Sequence, residues 1–295
     1  MVVPAPSAVA ELFKPITWFP PMWAFACGAV ASGASAEGRW AIVILGVLLA
    51  GPLVCATSQA VNDWFDRDVD AINEPQRPIP SGRMPGRWGL GIAVLWTGVS
   101  LLVALALGTW GFLAAVAGLV LAWAYSAPPL RLKRNGWWGN AACGLCYEGL
   151  AWITGAAVMA GGAMPEARCL ALAALYSLGA HGIMTLNDFK SVEGDQRMGV
   201  GSLPVRLGID EAAHAACWTM ALPQFGVVML LLASQQRVHA LAVGVMLLVQ
   251  IVLMQRFLSD PRRYAIWYSG LGVTIYVSGM LVSAFALRAA AGGAP

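Results

Sequence analysis

The stretch "QAVNDWFDRDVD", residues 59–70, joins a long apolar segment to a strongly acidic run. It places four aspartates within eight residues, although the whole chain has only 15 Asp and Glu residues. Asp63, Asp66 and Asp70 are spaced i, i+3 and i+7, so a helix would present all three on one face. Asp68 would point elsewhere. The stretch therefore predicts a helix that leaves an apolar environment and carries carboxylates at its end.

The composition indicates that this apolar environment is a lipid bilayer. The 295 residues are 59% hydrophobic and 11% charged, whereas soluble domains contain about 25% charged residues. A soluble core of this size would not hide so much apolar surface. No basic run with interleaved aromatics is present, which excludes the usual nucleic-acid-binding classes.

Nine segments approach the roughly 20 apolar residues that a membrane-spanning helix needs. The first is interrupted by Pro20 and Pro21, which a helix tolerates in its opening turn, and Gly108 separates the third from the fourth. The sequence therefore predicts an all-α integral membrane protein with nine transmembrane helices. The predicted spans are 16–36, 41–62, 88–107, 109–126, 139–162, 168–188, 211–233, 238–257 and 265–288.

The basic residues predict the orientation of these spans. Fourteen of the 18 Lys and Arg residues lie before the first span or after the even-numbered spans. The positive-inside rule places these segments in the cytoplasm, with the N-terminus inside and the C-terminus outside. An odd number of spans is needed for that arrangement. Arg39, Arg168, Arg237 and Arg288 are the four exceptions.

An internal repeat relates the second span to the sixth. "VNDWFDRDVD" at 61–70 aligns without a gap with "LNDFKSVEGD" at 186–195. Asp188 and Asp195 match Asp63 and Asp70, while Ser191 stands opposite Asp66. We interpret the chain, residues 1–295, as one domain made of two four-helix units, about 16–126 and 139–257, followed by a ninth helix at 265–288.

Two carboxylate clusters at equivalent helix ends are typical of a magnesium-bound diphosphate site. Converging carboxylates repel one another unless a cation lies among them, and Mg²⁺ is commonly held by one or two carboxylates and substrate phosphates. Basic side chains of the same loops would bind the remaining phosphate oxygens. The alternative is that the acidic residues pair with these basic neighbours at the membrane surface.

The motifs "NDWFDRDVD" and "NDFKSVEGD" resemble the two aspartate motifs of the UbiA superfamily of intramembrane prenyltransferases. Longer stretches, "KPITWFPPMWAFACGAVASG" (14–33), "DAINEPQRPIPSGR" (70–83), "YSAPPLRLKRNGWWGN" (125–140) and "GSLPVRLG" (201–208), resemble its chlorophyll and bacteriochlorophyll synthase branch. Ser191 departs from the pattern, because many members carry Asp there, and Glu193 is a possible substitute.

This resemblance implies nine helices around a central cavity, Mg²⁺ dependence and transfer of a geranylgeranyl or phytyl group from its diphosphate. The implied acceptor is the ring-D propionate of bacteriochlorophyllide a. The implied location is the cytoplasmic or intracytoplasmic photosynthetic membrane of a bacterium, with membrane lipid and other membrane proteins of pigment biosynthesis as further partners. We assign catalysis and metal binding to Asp63, Asp66, Asp70, Asp188 and Asp195. We assign diphosphate binding to Asn62, Arg77, Tyr125, Lys133, Asn187, Lys190 and Arg197.

Two ionisable residues lie inside predicted spans. An ionisable side chain such as Glu148 costs free energy inside a membrane, so Glu148 is a functional candidate. It either orients the acceptor or hydrogen-bonds a neighbouring helix. His181 precedes Asp188 by seven residues and so shares its helix face toward the cavity, where it could approach the acceptor or make a structural hydrogen bond. Cys143 and Cys146 form a CxxC that we interpret as small packing residues.

Four alternatives to this function stay open. Chlorophyllide a is the nearest alternative acceptor, and an aromatic ring of a quinone pathway is the next. A membrane carrier would also contain a repeat, but carriers place charges at the membrane midplane, whereas these cluster at one face. A pigment-binding scaffold would not require paired aspartate motifs.

Overall fold

The computed structural model describes residues 3–292, and every regular element within them is helical. We number the helices α1 to α12 and count π-helical interruptions as part of the helix that contains them. Short 3₁₀ helices lie at Pro15–Thr17 and Leu132–Arg134. The helices are α1 (Pro6–Leu12), α2 (Phe19–Ala31), α3 (Trp40–Asn73), α4 (Trp88–Leu105), α5 (Gly108–Ser126), α6 (Gly136–Met159), α7 (Ala167–Asp188), α8 (Val192–Met198), α9 (Leu203–Leu207), α10 (Ile209–Ala233), α11 (Arg237–Ser259) and α12 (Pro261–Gly292).

Eight of these helices are long and apolar enough to cross a membrane, within the residues that the structure describes: α3 to α7 and α10 to α12. The predicted first span corresponds to α2, which has only 13 residues. A helix of that length covers about 20 Å, less than the roughly 30 Å of a hydrocarbon core. Prolines in its first turn and the positive φ of Gly33 just after its end limit its length.

Two of the spans contain π-helical segments. Leu49–Cys55 in α3 includes Pro52, which has no backbone N–H to donate to the preceding turn. Leu145–Leu150 in α6 includes Glu148. Such segments are frequent at functional sites. Here they approach each other, and the Cys55 thiol donates to the Tyr147 hydroxyl at 3.7 Å.

The spans form a closed arrangement in which α12 returns to pack against α2. Contacts run from α3 through α4 and α5 to α6, then through α7, α10 and α11 to α12. Among the spans, α6 and α7 are the most buried in the protein. The two aspartate motifs lie at the same end of the bundle, which we call the motif end, because α3 and α7 both reach it with their C-terminal turns.

The N-terminal segment packs against the motif end of α3. Ala8, Leu12 and Phe13 are buried in one cluster with Ala60 and Val61 of α3. Glu11 extends this attachment, because both of its carboxylate oxygens accept from the Arg83 guanidinium, at 2.6 and 2.9 Å. The segment thereby brings Lys14 beside the first aspartate motif.

Candidate active site

A polar chamber of about 1060 Å³ opens at the motif end, and both aspartate motifs contribute to its wall. Asp66 comes from the first motif, and Asp188 and Asp195 come from the second. The two motifs therefore face one space, as their repeat in the sequence predicted. The other polar residues of the wall are Asn62, Asn73, Glu74, Arg77, Tyr125, Arg131, Lys133, Arg134, Asn140, Lys190, Ser191, Glu193, Arg197, Ser202 and Arg262.

Asp63 and Asp70 lie one layer behind this wall and are held by cations. The Lys14 ammonium is 2.5 Å from Asp63 Oδ1, and the Arg77 guanidinium is 3.4 Å from the same oxygen. Arg77 also donates to Asp70 at 2.8 Å and pairs with Glu74. Burial opposes the charge of Arg77, but these three carboxylates outweigh it and raise the pKa of Arg77 above its ordinary value.

Asp66 reaches the chamber itself and is also paired with basic side chains. The Lys133 ammonium donates to Asp66 Oδ2, and Arg131 lies 3.6 Å from Oδ1. Asn62, one turn earlier, donates to the same carboxylate at 3.0 Å. Burial lowers the pKa of Lys133, and the carboxylate of Asp66 opposes only part of that effect.

The second motif is built differently, because α7 ends at Asp188 and the chain turns before α8 begins at Val192. Asp188 accepts a hydrogen bond from the Asn140 amide at 3.2 Å, and Asp195 accepts one from the Ser191 hydroxyl at 3.0 Å. In residues 3–292 no Lys or Arg lies within ion-pair distance of either carboxylate. The second motif therefore has only neutral partners.

The donor set of the chamber fits a hard divalent cation that is completed by a bound substrate. No cluster of three or more His, Cys, Asp or Glu side chains within the described part of the chain is close enough to hold a metal alone. The donors that line the chamber include the carboxylate oxygens of Asp66, Asp188 and Asp195. Behind the wall, buried Asp63 Oδ2 has no hydrogen-bond partner. Mg²⁺ takes such oxygens together with substrate phosphates, so the residues suit it.

An inner tunnel of about 220 Å³ continues from the chamber into the bundle. Asn62 and Tyr125 line both spaces and mark the border between them. The tunnel wall is mostly apolar, and its polar groups include Gln59, which donates to the Tyr147 hydroxyl at 3.3 Å. Such a space suits an apolar chain whose polar head remains in the chamber.

Nine of the residues that we assigned from the sequence line the chamber, and five do not. Asn187 is exposed outside it. The two motifs also differ locally, since α7 ends one residue after Asn187, whereas α3 continues eleven residues beyond Asn62. Asp63 and Asp70 are behind the wall, as described above. The nine that line it are Asn62, Asp66, Arg77, Tyr125, Lys133, Asp188, Lys190, Asp195 and Arg197.

Glu148 and His181 also lie away from the chamber and the inner tunnel. Glu148 is buried within the π-helical segment of α6. His181 Nε2 lies 3.2 Å from the carbonyl oxygen of Trp137, and the two rings are 5.4 Å apart. This is the structural hydrogen bond that the sequence left open for His181. Cys143 and Cys146 are free thiols that line the inner tunnel.

The structure adds residues that the sequence did not single out for the site. Lys14 holds Asp63, and Asn140 holds Asp188. Arg131, one of the basic loop residues that we expected to bind phosphate oxygens, also lies beside Asp66. Arg134 and Arg262 line the chamber. Lys14, Asn140 and Arg262 lie far from either aspartate motif in the sequence, so only the fold reveals that they belong to the site.

Comparison with known proteins agrees with this geometry. Residues 18–278 match the UbiA prenyltransferase family. The "bacteriochlorophyll synthase 33 kDa chain" of Cereibacter sphaeroides is 56% identical over 97% of this chain and 94% of its own length. The chloroplastic chlorophyll synthase of Avena sativa is 40% identical over 94% of this chain and 75% of its own.

Solved structures show the same fold. A UbiA homolog from Archaeoglobus fulgidus, bound to GPP and Mg²⁺, superposes with a TM-score of 0.72 at 20% identity, covering 96% of this chain and 99% of its own. The matched family spans most of the sequence, and the chain therefore belongs to the UbiA prenyltransferase family.

Proposed function

We propose that this protein esterifies the ring-D propionate of bacteriochlorophyllide a with geranylgeranyl or phytyl diphosphate and releases diphosphate. The observation that carries the proposal is the 56% and 54% identity to two bacteriochlorophyll synthases, each over 97% of this chain. The polar chamber and the apolar tunnel suit the two ends of a prenyl diphosphate, which supports the same conclusion.

Mg²⁺ is the proposed cofactor, and Asp66, Asp188 and Asp195 are the side chains of the chamber wall that would hold it. Asp63 lies behind the wall, and its unpartnered Oδ2 leaves it free to join them, whereas Asp70 would act through Arg77. When bound, the metal would neutralise negative charge on the diphosphate. The A. fulgidus homolog has been solved with Mg²⁺ and GPP, which is consistent with this assignment.

The chain's own residues would prepare the donor for bond cleavage. Arg77, Lys133, Lys190 and Arg197 line the chamber and would bind the phosphate oxygens through charge-assisted hydrogen bonds. The allylic C–O bond breaks, and the diphosphate leaves with the electron pair. These side chains stabilise the charge that develops on the leaving group.

The inner tunnel would keep the prenyl group away from water. Its apolar wall protects the allylic carbon until an oxygen of the acceptor carboxylate supplies the electron pair of the new ester bond. A carboxylate is already ionised near neutral pH, so no protein base is required. Tyr125, at the border of chamber and tunnel, lies where the reacting carbon would be.

Chlorophyllide a is the second candidate acceptor, favoured by 40% identity to the chlorophyll synthase of Avena sativa. The lower identity ranks it below bacteriochlorophyllide a.

The chain is a multi-span membrane protein. The distribution of its basic residues supports a motif end on the cytoplasmic side of a bacterial inner membrane. A C-terminus on the opposite side requires α2 to act as a ninth, short crossing beside the eight long spans.

One assay tests the proposal. Purified protein in detergent receives geranylgeranyl diphosphate, Mg²⁺ and either bacteriochlorophyllide a, chlorophyllide a or 4-hydroxybenzoate, with EDTA as control. We expect esterified bacteriochlorophyllide that disappears with EDTA and in Asp188→Asn. Product that persists with EDTA would remove the metal from the mechanism. No product with any acceptor would favour a carrier or a pigment scaffold.

A further inference from the structure

The inner tunnel ends in a smaller space deep in the bundle. A third cavity of about 40 Å³ adjoins it, and both are lined by Val54, Gly118 and Cys146. Along α5, Tyr125 borders the chamber, Gly118 lies at the junction of tunnel and third cavity, and Ala114 and Ala115 line the third cavity alone. Gly118 is seven residues from Tyr125, or about 10 Å along the helix axis.

The wall of the third cavity beyond Gly118 is mostly apolar. Leu49, Ala114 and Ala115 are buried there. The Thr154 hydroxyl donates to the carbonyl oxygen of Leu150 at 2.7 Å, so the polar atom of this residue is satisfied within its own helix. The third cavity therefore offers an apolar end to any chain that enters from the chamber.

Packing does not require a glycine at position 118. A Cβ there would lie 3.7 Å from Val54 Cγ1 and 3.9 Å from Leu150 Cδ1, which are ordinary contact distances. At Gly46, by contrast, a Cβ would lie 2.0 Å from the ring of Phe25. Close packing between helices is therefore not the reason for a glycine at position 118. The missing side chain instead leaves space open in the passage. A longer side chain would cross that space toward Val54.

We propose that Gly118 determines the longest prenyl chain that the tunnel accepts. This inference rests on the proposed prenyl transfer. The first isoprenoid units of the donor would occupy the tunnel between Tyr125 and Gly118, and later units would pass Gly118 into the third cavity. A C20 donor needs the opening at Gly118, and a C10 donor does not.

The test compares C10, C15 and C20 prenyl diphosphates with bacteriochlorophyllide a in the purified full-length protein. We expect Gly118→Leu to lower kcat/KM for C20 relative to C10 by about tenfold or more, because the added side chain overfills the passage. Gly118→Ala should lower it less. Gly98→Leu is the matched control, since Gly98 is an exposed glycine of α4 with no atom within 4 Å of its Cβ position.

A folded Gly118→Leu protein that keeps the wild-type preference for C20, or that loses C10 and C20 equally, would overturn the proposal. If Gly118→Leu does not fold, Val54→Ala tests it in the opposite direction. That change widens the passage opposite Gly118, and we expect about threefold better use of a C25 donor relative to C20. An unchanged C25 to C20 ratio would also overturn it. Wild-type protein that is inactive with every donor would instead contradict the transfer reaction on which it depends.

Discussion

The two aspartate motifs are related in sequence but differ in electrostatic environment. The carboxylates of the first motif are paired with Lys14, Arg77, Arg131 and Lys133. Among the described residues, the carboxylates of the second motif form no ion pair and accept hydrogen bonds from neutral groups: the Asn140 amide, the Ser191 hydroxyl and the Leu203 backbone N–H. Ion pairs with basic side chains compensate the negative charge of the first motif, whereas the described residues form no such pair with Asp188 or Asp195.

This difference indicates that the two motifs have different roles. Buried charge without an opposite charge is costly, so a cation that enters the chamber should gain most from the second motif. The helix that carries the first motif is anchored by packing against the N-terminal segment and by the hydrogen bond between Arg77 and Asp70. We expect it to orient basic side chains toward the diphosphate in addition to any metal.

The largest expected effect separates activity from stability at the two motifs. Asp63→Asn and Asp188→Asn should each lower kcat/KM by about 100-fold or more, because each removes a proposed ligand of the Mg²⁺ that neutralises the diphosphate. Only Asp63→Asn should also lower the melting temperature, since it leaves Lys14 without its charged partner. Activity assays and thermal unfolding of both variants measure this. Equal melting temperatures would contradict the contrast.

The next effect concerns the cations of each motif. Lys14→Met removes the closest cation of Asp63, whose side chain is only 2% exposed, and should lower the free energy of unfolding by about 2 kcal/mol. Lys190→Met is the matched change in the second motif. Lys190 is exposed and forms no ion pair among the described residues, so its replacement should cost below about 0.5 kcal/mol. Denaturation in detergent measures the free energy of unfolding of both variants. Similar losses in the two would contradict the proposed difference between the motifs.

A smaller effect is expected at Lys133. Lys133→Gln removes a partner of Asp66 and a proposed ligand of the diphosphate, so kcat/KM for the donor should fall about tenfold. The exposed Arg87, which does not line the chamber, provides Arg87→Gln as control. The proposed role of Lys133 fails if both variants retain wild-type kcat/KM.

Most of the fold followed from hydropathy because each span is a local property of the sequence. The length of α2 did not, since it depends on where the chain turns at Gly33. The gap-free repeat predicts acidic residues at the ends of α3 and α7. Asp66, Asp188 and Asp195 line the chamber, whereas Asp63 and Asp70 lie behind its wall. Even so, matching positions of the repeat have different surroundings. Asn62 lines the chamber, whereas Asn187, its counterpart near the end of α7, is exposed.

The partners of the carboxylates were beyond the reach of the sequence. Lys14 precedes Asp63 by 49 residues, and Asn140 precedes Asp188 by 48. Only the packing of α1 on α3 and of α6 on α7 makes these pairs. Hydropathy and motif spacing carry no information about such contacts, so the difference between the two motifs became visible only in three dimensions.

The smallest expected effect is at Ser191, the position where the second motif lacks the aspartate of the first. Ser191→Asp adds a carboxylate beside Asp195, which forms no ion pair among the described residues. Like charges at this distance repel, and a divalent cation relieves the repulsion. The Mg²⁺ concentration for half-maximal activity should therefore fall about threefold, and Mg²⁺ should raise the melting temperature more than in wild type. Ser191→Ala loses the hydrogen bond to Asp195 but adds no charge, so it separates the effect of the added charge from that of the lost hydrogen bond. If Ser191→Asp and Ser191→Ala respond alike to Mg²⁺, charge at this position does not set the affinity, and the neutrality of the second motif has another origin.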